Sequence, residues 1–225
     1  MSAIRLAVCV VLVLSLALIP SLAGCVHASG PQVVGSGVAR TEVRDLSDFT
    51  RVEARGAFRL EVQAGGSASQ AVLEGDDNLV ALFETRVVDG ALELGFPSGS
   101  YTTSKPFVVR VTAPRVESVQ ASGAIHVWAA GLAGERFEAT LAGSCQLEAR
   151  GAVRRAVLEA SGAGGLDASL LEAEVVEVEL SGSLQADVQA TRNLRVVASG
   201  ACTVRYSGAP TVESRTSGTS QVRPR

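Results

Sequence analysis

The chain has 225 residues, of which 47% are hydrophobic but only 4% aromatic, with 23 glycines. That length excludes a large multidomain enzyme, and a core short of rings must be filled by Val, Leu and Ala, as in stacked strands joined by tight turns. A formal charge of −3 supplies no basic field for a phosphate backbone, so nucleic acid is not an expected partner.

The chain opens on an export signal: Arg5, an unbroken apolar run from Leu6 to Ile19, then Pro20 and small residues. The run is short of the roughly 20 residues of a spanning helix. Leu22-Ala23-Gly24-Cys25 resembles the bacterial lipobox, in which the chain is cut before the Cys and that Cys is acylated. The resemblance implies a signal peptide over 1–24, a palmitate-type anchor on Cys25 and membrane contact through lipid alone. Val26 stands where an inner-membrane retention signal would show Asp, which favours the outer membrane. Small residues then predict a flexible tether, giving a lipidated Cys and tether over 25–45.

Residues 46 to 115 read as irregular strands. Val52, Ala54, Phe58, Leu60 and Val62 alternate around Gly56, and Ala71–Glu74, Arg86–Val88, Ala91–Leu94 and Phe107–Val111 follow. Asp89-Gly90 predicts a hairpin. Asp76 to Phe83 predicts one helical turn behind an Asp cap.

From residue 121 a small-residue corner recurs, marked by Gly123, Gly143, Gly162, Gly182, Gly200 and Gly218 at spacings of 20, 19, 20, 18 and 18. Residues two and four after each glycine are mostly small or apolar, and those between are polar: His126, Gln146, Gln185, Thr203 and Gln221, with Gly165 in the same series. A fixed period with strand alternation predicts an all-β, right-handed parallel β-helix of about 19-residue coils, its less regular N-terminal half acting as a cap. The head domain is placed at 46–220 and a polar tail at 221–225. Cys145 and Cys202 fall in one inward column three coils apart, roughly 14 Å at strand spacing, which predicts free buried thiols.

The ordered combination Asp48-Phe49-x-x-Val52, Gly56-x-Phe58-x-Leu60-x-Val62, Leu73-x-Gly75-Asp76-x-Asn78-Leu79, Val88-Asp89-Gly90-x-Leu92-x-Leu94 and Val111-Thr112-Ala113-Pro114, followed by serial Ser-Gly corners, resembles the bacterial auto-transporter adhesin head GIN domain family over about residues 46 to 220. The resemblance implies an exported β-helical domain, often lipid-anchored. The corner Ala142-Gly143 departs from the repeat in lacking its Ser.

Catalytic and metal-ligating patterns are sparse. The two histidines are His27, beside the anchor, and His126, in an outward column, and neither has a triad. The glycine-rich runs lack the Lys-Ser/Thr of a phosphate loop. No cofactor is expected. Five residues after each corner glycine stand Trp128, Glu148, Asp167, Asp187, Arg205 and Arg223. Trp128, Glu148, Asp167 and Asp187 form a candidate ligand face, and the three acids on adjacent coils are a candidate column for Ca²⁺ or paired-carboxylate chemistry, set against the simpler reading of a charged surface. The expectation is a non-enzymatic envelope lipoprotein presenting this face to a protein or polysaccharide. The alternatives are a polysaccharide-active enzyme and a structural envelope component.

Overall fold

The computed structural model describes residues 32–225. The signal peptide, the lipobox, Cys25 and His27 lie outside the described residues. Among the described residues, fifteen strands and one helical turn follow in order: β1 (Gln32–Val34), β2 (Ala39–Asp45), β3 (Arg51–Gly56), β4 (Arg59–Ala64), β5 (Gln70–Asp76), α1 (Asp77–Val80), β6 (Glu84–Val88), β7 (Ala91–Gly95), β8 (Ser100–Thr102), β9 (Val108–Ala113), β10 (Ser118–Gly123), β11 (His126–Gly143), β12 (Gln146–Gly200), β13 (Thr203–Ser207), β14 (Thr211–Thr216) and β15 (Gln221–Pro224). None of the described helices is long and apolar enough to cross a membrane.

The described residues are all-β, with 73% of them in strands, but they do not form a regular right-handed parallel β-helix; they form a curled mixed sheet, a half-barrel. What overturns the expectation is antiparallel pairing: β2 with β5, β5 with β9, and β6 with β7. The physical reason lies in the turns and connections of the N-terminal half. Asp89 and Gly90 take φ of 49° and 74° and reverse the chain between β6 and β7, and a two-residue turn can join only antiparallel strands. Parallel partners there also keep no fixed period, since Arg51 pairs with both Ala91 and Ser118, and Leu60 with Val109.

Parallel pairing in register does run from β10 through β15. His126 lies beside Gln146 and Gly123 beside Gly143, and the register slips between Ala129 and Leu132. The corner glycines stack with φ between 74° and 116°. A side chain on Gly182 would fall on the carbonyl oxygen of Gly162, and one on Gly200 on that of Gly182, so the close approach of successive passes needs glycine. Gly56 heads this column beside Gly123.

Two segments depart from their predicted roles. The described part of the expected tether is strand from Gln32 to Val34 and again from Ala39 to Asp45. The predicted helical turn forms, but Asp76 does not cap it. Its buried carboxylate instead accepts the backbone N–H groups of Gly37 (2.8 Å), Ser104 (2.8 Å) and Lys105 (3.1 Å), tying the β1–β2 and β8–β9 loops to the end of β5.

The core fills the inside of the curl with alternate residues of each pass. Leu60, Val127, Leu147, Leu166, Ala186 and Val204 form one buried row, and Val52, Val119, Ala139, Leu158, Val178 and Val196 another. Four of the six phenylalanines cluster in the N-terminal half: Phe83 lies 5.2 Å from Phe58, 4.9 Å from Phe96 and 5.0 Å from Phe107 by ring centroid. Cys145 and Cys202 are buried free thiols. At the far end of the sheet, β14 pairs with β12 and β15 with β13.

Candidate functional site

Strand alternation that sends Leu60, Val127, Leu147, Leu166 and Ala186 inward sends their neighbours outward. Two outward rows result. In one, Arg59, His126 and Gln146 are register partners, as are Gln185, Thr203 and Gln221. In the other, Glu61, Trp128 and Glu148 are partners, as are Asp187, Arg205 and Arg223. Gly165 and Asp167 stand between the two sets, lining one cavity with Gln146, Glu148, Gln185 and Asp187.

Trp128, Glu148, Asp167 and Asp187, singled out in the sequence, therefore lie along one face. That face carries two adjoining cavities. One, of about 360 Å³, is lined by Arg59, Glu61, His126, Trp128 and Glu148. The other, of about 210 Å³, is lined by Gln146, Asp167, Gln185 and Asp187 and shares His126 and Glu148 with the first. A groove thus runs across several passes of the chain.

The three carboxylates are bound up separately. Arg205 grips Asp187 with Nε on Oδ1 at 2.8 Å and Nη2 on Oδ2 at 2.5 Å, and this pairing holds the guanidinium pKa above its ordinary value. Asp167 accepts the backbone N–H of Ser169 at 3.0 Å. Desolvation pushes its pKa up, but the hydrogen bonds from the Ser169 hydroxyl and backbone and the charges of Arg225 and Arg150 outweigh that and leave it lowered. Glu148 sits 3.4 Å from His126 Nε2 and 3.6 Å from Arg150 Nη2. The Arg150 guanidinium also lies over the Trp128 ring, 5.8 Å from its centroid. Among the described residues no group of three or more His, Cys, Asp or Glu could hold a metal ion. Each acid turns to its own cation or amide, so they form no shared Ca²⁺ shell.

Sequence reasoning missed Arg59 and Glu61 as groove residues and Arg150 as the cation beside Trp128 and Glu148. Glu61 follows Gly56 by five residues, the same offset that places Trp128 and Glu148, but Gly56 lies far outside the 18-to-20-residue spacing that marks the other corners.

With this geometry in view, a family model described as "Putative auto-transporter adhesin, head GIN domain" matches residues 48–210. The chain belongs to that family. Solved structures share the fold of this GIN-domain chain. A "putative adhesin" from Bacteroides fragilis is 19% identical with a TM-score of 0.67, covering 85% of this chain and 99% of its own. A "putative adhesin" from Parabacteroides merdae is 18% identical with a TM-score of 0.57, covering 87% and 99%. A "putative lipid binding protein" from Parabacteroides distasonis is 17% identical with a TM-score of 0.53, covering 86% and 99%. No curated protein matched the chain.

Proposed function

We propose that this GIN-domain chain is an exported lipoprotein of the bacterial envelope, anchored by acylated Cys25, that binds a surface partner through its outward groove and catalyses no reaction. The observation that carries the binding reading is the groove itself, where the sole tryptophan of the chain lines a cavity continuous across several passes. Rigid strands fix every groove side chain in register, which lowers the ordering cost of binding an extended partner. The family's adhesin description and the names of its structural relatives point the same way. A non-catalytic role is supported by the separate pairing of Asp187 with Arg205 and of Asp167 with Ser169, which takes both aspartates out of paired-carboxylate chemistry. Lipid anchoring is supported by the leader and lipobox, and an outer-membrane address by Val26.

Two measurements on the full chain in a bacterial host test this reading. Cys25→Ser is expected to move the protein from the membrane fraction to the soluble exported fraction, and retention at the membrane would overturn the anchor. Purified protein is expected to bind envelope fragments saturably, with Trp128→Ala weakening binding roughly tenfold, as for a buried aromatic anchor. Absence of fragment binding would leave a structural envelope role instead.

A further inference from the structure

Resting on the binding reading above, we infer that the missing side chain of Gly165 opens a subsite for an uncharged sugar ring, so that the groove takes a neutral glycan. Gly165 is unlike the corner glycines. Its φ lies outside the left-handed region, and a β-carbon placed there would meet nothing nearer than the Gln185 carbonyl oxygen at 3.9 Å. The neighbouring Gly164, by contrast, has φ of 149° and sits against the Cys145 carbonyl. Neither backbone nor packing demands glycine at 165. The same outward row otherwise carries Arg59, His126, Gln146, Gln185 and Thr203. A gap is left between Gln146 and Gln185, two strand spacings apart, or roughly 10 Å.

The walls of that gap suit hydroxyl groups. Each glutamine amide presents a donor and an acceptor in one plane, a match for neighbouring hydroxyls, and Asp167 and Glu148 add acceptors. Among the described residues, the side chains of Gln146 and Gln185 make no hydrogen bond to protein, whereas both oxygens of Asp187 are taken by Arg205. Trp128, next along the groove, offers an apolar ring surface of the kind that packs against a sugar's C–H face.

Charge narrows the class. The two cavities are lined by four carboxylates, Glu61, Glu148, Asp167 and Asp187, against one arginine, Arg59, and the nearby Arg110, Arg150 and Arg205 are taken up by Glu61, Glu148 and Asp187, so the lining has no net positive charge. A phosphate or uronate polymer would meet the acidic row without a cationic bed, and an apolar peptide would strand the amides without partners. The neighbouring face, with a groove lined by Glu159, Glu177, Glu179 and Arg195, has no aromatic residue and does not share this chemistry.

Trp128 is the sole tryptophan, so intrinsic fluorescence of the purified full chain reads the groove directly. The probes are cellohexaose, chitohexaose and maltohexaose, with polygalacturonate as the charged control. A saturable response to at least one neutral hexasaccharide and none to polygalacturonate is expected, with affinity falling roughly tenfold or more in Gly165→Leu and an unchanged melting temperature. Gly165→Ala, whose methyl group fills little of the gap, is expected to fall between. A response to polygalacturonate alone, no response to any neutral probe, or equal affinity in Gly165→Leu overturns the subsite. Envelope-fragment binding measured in parallel separates the two readings. If it persists in Gly165→Leu while the sugars fail, the glycan subsite falls and the binding reading stands; if wild type binds no fragments, the binding reading falls as well.

Discussion

The bare α-carbon of Gly35 and the carboxylate of Asp76 occupy adjoining space, and a methyl group on Gly35 would overlap Asp76 Oδ2. Through this approach the chain between β1 and β2 docks on the buried acid, which also holds Ser104 and Lys105. Asp76→Asn keeps the shape but turns an amide N–H₂ toward backbone donors. A loss of about 2–3 kcal/mol is expected in urea unfolding at neutral pH, the scale of hydrogen bonds to a charged group. Gly35→Ala is expected to destabilise in the same direction.

The acid limb of the stability curve gives an independent test of Asp76. Burial pushes its pKa up, but the N–H groups of Lys105, Ser104 and Gly37 and the Lys105 charge prevail and leave it below the ordinary aspartate value. The unfolded chain therefore takes up the proton first. Stability from this group is complete above the unfolded pKa of about 3.9 and is lost as pH falls through the lower folded value. Wild type should lose that increment on acidification and Asp76→Asn should not, so the two curves converge at low pH. Parallel curves would refute the assignment.

Two alanine substitutions at glycine separate required from unrequired positions. Gly182 has φ of 116°, and its β-carbon would fall on the Gly162 carbonyl. Gly182→Ala is expected to cost about 3 kcal/mol or more, lowering the melting temperature by roughly 6–12 °C. Gly165→Ala should stay within about 0.5 kcal/mol of wild type. Equal effects at the two positions would contradict the packing described for the glycine column.

Phe83 touches three other rings and is 2% exposed. Truncation to alanine is expected to cost about 3–5 kcal/mol, while Phe83→Leu, which keeps most of the volume, should cost less than about 1.5 kcal/mol. Denaturant titration of both variants checks the difference.

Cys145 and Cys202 are each sealed in the core, with Sγ 3.4 Å from the carbonyls of Ala142 and Ser199 respectively. Peptide-level mass spectrometry after alkylation should find both unmodified in native protein and both modified after denaturation without reductant. A Cys145–Cys202 crosslinked peptide would refute the arrangement.

Much of the local structure was legible from residue order. Period-two alternation gave the inward rows Val127, Leu147, Leu166 and outward partners Trp128, Glu148, Asp167, and the left-handed preference of Asp89-Gly90 gave its hairpin. The architecture was not legible, because a strand's own pattern does not name its neighbour: nothing within Ala39–Asp45 or Gln70–Asp76 specifies that they run antiparallel. β2 reads as tether because its side chains are mostly polar and exposed. Asp76 reads as a local cap because its real partners lie 28 to 39 residues away. In the groove, the row of Trp128 and the acids followed from a constant offset, but the grip of Arg205 on Asp187 and of Arg150 on Trp128 depends on side-chain direction.

The closing strands of the sheet also bear on how copies of the molecule meet. β14 is exposed along its whole length, a backbone edge that could template a neighbour. It is followed by β15, which ends at Pro224, where a ladder donor is missing, and Arg215, Arg223 and Arg225 are clustered within these last passes. A strand approaching this edge would meet arginines and a position that offers no donor, which makes it a poor template for further pairing.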